Sequence, residues 1–176
     1  MLFSRTLLMG FALASSALAA NTNPQINDIV DTLSQSIHVT VPAISKLVSS
    51  ENVTDNSLPP RISELVTAFQ TAASDLASTP VSDGDQTDAP TNDDISVTYG
   101  AVLSAVAGSV LAALRPGVVP DLATLLAPLD PAIANASTTL NTTLPTALGF
   151  VHTLLLDARQ FYAAKNFTQT LTALGF

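Results

Sequence analysis

Between Thr91 and Leu114 the chain reads TNDDISVTYGAVLSAVAGSVLAAL, and from Tyr99 onward this run carries no charged residue. It opens as a helix should. Thr91 or Asn92 can accept from the first free amides, and Asp93 and Asp94 place negative charge at the positive end of the helix dipole. Tyr99, Leu103, Val106, Val110 and Leu114 recur at three- and four-residue steps, on one face. Ala101, Ala105, Ala107, Gly108, Ser109, Ala112 and Ala113 make the opposite side small rather than polar. A helix apolar around most of its circumference has to be covered from several directions. The run therefore predicts the central helix of a bundle. Its uncharged part is shorter than the roughly 20 residues a bilayer crossing needs, so no membrane span is predicted.

The flanking segments supply the cover. Ile26, Ile29, Val30, Leu33, Ile37, Val41, Ile44, Leu47 and Val48 keep helical spacing from Gln25 to Val48, with Asn23-Pro24 as cap and first position. Pro42 falls inside that pattern, which predicts a kink near Thr40. A second stripe, Ile62, Leu65, Val66, Phe69, Ala72, Ala73 and Leu76, predicts a helix over 59–78. The Asp-rich stretch TPVSDGDQTDAP reads as a solvated loop, since it lacks the glycine and distal glutamate of a calcium loop. Arg115-Pro116-Gly117 stops the central helix, and Pro120-Asp121 restarts the chain into a stripe of Leu122, Leu125, Leu126, Leu129, Ile133 and Leu140, bent at Pro128 and Pro131. A last long helix is predicted over 145–165, burying Leu148, Val151, Leu154, Leu155, Ala158, Phe161 and Tyr162. The fold class is thus all-α: an antiparallel helical bundle of four to five long, partly proline-kinked helices.

Residues 1–20 read as a secretory signal peptide rather than as fold. Arg5 supplies the positive region, Leu7 to Leu13 the apolar stretch, and Ala17-Leu18-Ala19 the cleavage pattern. Residues 21–176 are then a single secreted domain, extracellular or associated with a cell wall. The tail FTQTLTALGF lacks the spacer and hydrophobic stretch of a GPI signal. Loss of Arg5 makes the mature net charge one unit more negative than the −8 of the whole chain, which excludes nucleic acid as a partner. With no cysteine, thiol catalysis and Cys-based metal sites are excluded, and packing alone must hold the fold. Sequons at Asn52, Asn135, Asn141 and Asn166 mark expected surface glycans.

Nothing in the residues points to catalysis. His38 and His152 stand in no metal-ligand spacing, no G-x-S-x-G elbow occurs, and the carboxylates lie in loops and at helix ends where solvation and capping explain them. No metal, no cofactor and no catalytic residue is predicted. The abundance of Leu, Val, Ile and Ala fits either a sealed core or a bundle whose helices part to meet apolar matter.

The run ISELVTAFQTAASDLAS, the acidic loop, the Ala-rich helix ending Leu111-Ala112-Ala113-Leu114-Arg115-Pro116 and the restart from Val119 to Leu129 together resemble the fungal hydrophobic surface-binding protein A family, which includes cell-wall galactomannoproteins. The resemblance covers most of the mature chain and departs from the family at Pro42, Pro128 and Pro131. It implies a non-catalytic protein that adsorbs to hydrophobic surfaces, binds lipids or fatty acids between its helices, and recruits secreted esterases to solid apolar substrates. The residues expected to meet such a ligand are Phe69, Leu103, Val106, Val110, Leu126, Leu155 and Phe161, the large apolar residues facing the central helix. The competing expectation is a structural wall mannoprotein that carries glycans and has no specific ligand.

Overall fold

The structure, a computed structural model, describes residues 22–50, 57–83, 89–115 and 121–176. The expected leader, the Asn52 sequon, Asp85, Asp88 and the Pro116-Gly117 stop lie outside the described residues. All the regular structure described is helical.

Helix α1 (Asn23–Ser49) is continuous through Pro42. The proline ring points to solvent, and Ile37, Val41 and Ile44 stay buried on both sides of it. Pro42 therefore removes one backbone donor without ending the buried stripe. Helix α2 (Leu58–Ser78) buries Ile62, Leu65, Phe69, Ala72, Ala73 and Leu76, which is the stripe the spacing predicts apart from a half-buried Val66.

The central segment begins as helix α3 (Asn92–Ala105) and continues as a π-helical segment (Val106–Leu111). Thr91 caps α3 through a reciprocal box: its hydroxyl accepts from the Asp94 amide at 3.2 Å, and the Asp94 carboxylate accepts from the Thr91 amide at 2.9 Å. The Thr91 amide and, at 2.8 Å, the Thr91 hydroxyl both donate to the Asp94 carboxylate, and these two bonds, backbone first, hold it below its ordinary value. Tyr99, Leu103, Val106, Val110 and Leu114 are all buried. Contacts to α3 and the π segment come from several directions, as its small-residue circumference requires. Helix α1 packs on both, while the later helices α6 and α7 pack on one each.

The second half of the chain is more broken than the periodicity predicts. Helix α4 (Leu122–Leu126) and helix α5 (Leu129–Thr143) are separate, with Pro128 at the α5 N-cap and Pro131 in its first turn. Both prolines therefore sit where a missing donor costs least, at a helix start rather than inside a bent helix. The expected long helix over 145–165 is instead α6 (Ala147–Leu154) and α7 (Arg159–Ala164), joined by turns. No proline or glycine lies between 150 and 164 to mark that break.

Helix α8 (Thr168–Ala173) packs on α5, where the Asp130 carboxylate accepts from the Gln169 and Thr170 amides at 3.2 and 2.8 Å. The short terminal turn is thus tied down by a cap borrowed from another helix. His152 stacks on Phe176 and donates to the Leu174 carbonyl, fastening the last residues to α6.

One end of the molecule is closed by a buried polar node. Asn23 lies in the first turn of α1 rather than capping it, because its amide serves other elements. It donates to the Asn92 side chain at 2.9 Å and to the Pro90 carbonyl at 3.0 Å, and it accepts from the Ser82 hydroxyl at 2.6 Å. The Ser82 amide donates to the Thr143 carbonyl at 2.7 Å, and the Thr143 hydroxyl to the Leu76 carbonyl at 3.1 Å. The start of α1, the end of α2, the start of α3 and the end of α5 therefore share one end.

Candidate functional site

The seven residues expected to hold a ligand converge, but as a packed interior. Phe69 from α2, Leu103 from α3, Val106 and Val110 from the π segment, Leu126 from α4 and Leu155 after α6 belong to one buried cluster, and Phe161 of α7 is half-buried against it. None of the seven lines either of the grooves described below.

The polar groups in this interior are engaged in holding it together. Tyr162 donates its hydroxyl to the Leu103 carbonyl at 2.8 Å, immediately before the backbone passes from α to π. Tyr99 and Ser137 share a hydroxyl bond of 2.8 Å that joins α3 to α5. Burial pushes both tyrosines well above the ordinary phenol range; the Ser137 bond offsets part of this for Tyr99, and nearby Tyr99 adds to it for Tyr162. Lys165 reaches the Leu114 carbonyl at the other end of the central segment. Among the described residues no group of three or more His, Asp or Glu side chains is placed to hold a metal ion. By length and composition the stretch Asn92–Leu111 could cross a membrane, but more than half of its most apolar window lies inside the protein.

Apolar side chains do reach the outside. Phe150 and Leu154 are 38% and 42% exposed, one turn apart on α6. Leu154 approaches α3 at Gly100, where an added Cβ would stand 2.8 Å from its Cδ1. Val97, one turn before Gly100, is 48% exposed, and Leu156 is 49% exposed just beyond α6. Leu154 is thus a correction to the predicted buried face: α6 buries Ala147 and Val151 and leads into buried Leu155, while Leu154 falls with exposed Phe150 on the neighbouring side.

A groove of about 930 Å³ runs between α1 and α2. Leu33 and Ala72, both buried, and the half-buried Ile29 and Ala68 form its floor. A smaller groove of about 590 Å³ continues it, lined by Lys46 and Leu47 near the end of α1 and by Ser57 and Arg61 at the start of α2. Periodicity marks Ile29, Leu33 and Ala72 only as core and does not mark Ala68. The opening arises because their neighbours Thr32, Ser36, Thr67 and Thr71 are too short to close over them.

Of the sequon asparagines, Asn135 and Asn141 are exposed on α5, and Asn166 is exposed between α7 and α8 in a left-handed conformation that asparagine tolerates. No protein-family model matches the chain, and no curated protein matches it.

Proposed function

We propose that this is a secreted, non-catalytic protein that binds apolar surfaces or lipids with the outside of an antiparallel helical bundle. The bundle reading follows from the shared end: α1 and α3 start where α2 and α5 finish, so consecutive long helices alternate in direction. The observation that carries the function is the division of large apolar side chains. Six of the seven expected ligand residues are sealed in the core, whereas Val97, Phe150, Leu154 and Leu156 face solvent. An apolar surface can be met by these exposed groups without opening the fold. The resemblance to the hydrophobic surface-binding family supports the same reading, and recruitment of a secreted esterase to a solid substrate would follow from adsorption.

A second reading, the glycan-carrying wall mannoprotein, is favoured by the exposure of Asn135, Asn141 and Asn166. Native mass spectrometry of the deglycosylated protein, titrated with a long-chain fatty acid, tests where a lipid goes. The exterior reading expects adducts that grow gradually with concentration and survive Val106→Phe. A fixed one-to-one adduct, lost in a folded Val106→Phe variant, would place the ligand between the helices instead. Absence of any adduct together with absence of adsorption to polystyrene would leave the mannoprotein reading.

A further inference from the structure

The groove between α1 and α2 has a polarity that selects among amphiphiles. Its walls run from Asp28 to Thr40 on α1, about 18 Å at the helical rise of 1.5 Å per residue. The second groove places the end of α1 beside the start of α2, so Asp28, near the start of α1, and Asp75, near the end of α2, share the far mouth. Glu64, further along the same wall, is paired with Arg61 at 2.7 Å, and among the described residues no Lys, Arg or His lines this groove. Within it, the hydroxyls of Thr32 and Ser36 are engaged by carbonyls one turn back, at 2.8 and 3.0 Å. The groove thus has an apolar floor between walls of short threonines and serines, leading to two exposed carboxylates.

We infer that this groove binds a single-chain cationic amphiphile, its alkyl tail along Ile29, Leu33, Ala68 and Ala72 and its ammonium head between Asp28 and Asp75. The inference rests on the reading that the chain binds apolar matter, and it adds the sign of the head group. A fatty-acid carboxylate at this mouth would meet two like charges, whereas an ammonium meets two opposite ones. The described sequon asparagines lie on α5 and beyond α7, away from the groove walls.

The test is calorimetric titration of the purified protein at low salt with dodecylammonium and with dodecanoate, both below their micelle concentrations, with helicity followed by circular dichroism. Dodecylammonium is expected to bind more tightly. Asp28→Asn with Asp75→Asn should weaken it about fivefold, in keeping with two exposed charge pairs, and leave dodecanoate unchanged or tighter. High salt should erase the difference. Ala68→Leu, which fills the floor without touching either carboxylate, should weaken both amphiphiles. Equal binding of the two, or an Asn double variant that binds dodecylammonium as well as the parent, overturns the inference while leaving apolar binding intact. Failure to bind either overturns the groove as a site, and adsorption to polystyrene then decides the broader reading separately.

Discussion

Replacing Tyr162 by Phe removes one oxygen and nothing else from a fully buried site. That oxygen donates to the Leu103 carbonyl at 2.8 Å and, with Lys165 on the Leu114 carbonyl, joins α7 and its end to the central segment. The loss is smaller than for an orphaned carbonyl, because the Val106 amide also donates to Leu103. A buried acceptor that keeps one partner should lose about 1 kcal/mol, toward the low end of the 1–3 kcal/mol for a fully unsatisfied group. For a domain of this length that corresponds to a melting temperature lower by about 3 °C. Urea unfolding followed by far-ultraviolet circular dichroism measures it: the midpoint should fall with the slope unchanged. A variant as stable as the parent would refute the argument that the Tyr162 bond holds the helix at its α-to-π junction. A loss above about 3 kcal/mol would refute it differently, by showing that Leu103 has no second partner.

Asn23→Ala should cost about 2 kcal/mol or more by urea unfolding, because it strips partners from buried Asn92 and Ser82 at once. Tyr99 and Tyr162 are the only tyrosines, and both are held protonated by burial. Their raised folded values mean that stability is full below the unfolded phenol value of about 10 and declines as pH rises past it. Tyrosinate absorbance should therefore appear together with loss of helicity in an alkaline titration, not before it. Gly100→Ala should change stability by less than about 1 kcal/mol: the added Cβ meets only the swinging end of an exposed Leu154, a rotamer shift of order 0.5–1.5 kcal/mol, and alanine regains a comparable amount in helix propensity.

The helical class and most of the core were legible because α1, α2 and α3 carry unbroken stripes whose period survives even Pro42. The α3 start was legible, with its cap left open between Thr91 and Asn92; the reciprocal box with Asp94, seen in the structure, decides for Thr91. The π segment was not, because Val106 to Leu111 reads as ordinary Ala-rich helix and the Tyr162 hydroxyl that meets the chain just before it comes from 59 residues away. The break after α6 was illegible for want of any local breaker, and the exposed side of α6, Phe150 and Leu154, was illegible because large apolar residues fall on both sides of that helix. Asn23 looked like a cap because its type and position suit one, whereas its partners Pro90, Asn92 and Ser82 are brought to it by tertiary structure. The seven candidate ligand residues were found as a set, since period identifies what faces inward. Period cannot say whether facing inward means a slot or a filled core, and the α1–α2 groove depends on short wall residues rather than on any stripe.

The central claim is that exposed apolar side chains on a closed fold make the contact with apolar matter. An adsorption isotherm on polystyrene beads, comparing the parent with a Phe150→Ser, Leu154→Ser double variant of unchanged helicity, tests it most directly. Fully burying such a side chain is worth about 1.5–3 kcal/mol, so the roughly two-fifths exposed on each should together supply about 1–2.5 kcal/mol. The account predicts that the double variant binds the beads about tenfold more weakly. Undiminished adsorption would contradict it and would mean that the bundle opens, or that another face makes the contact.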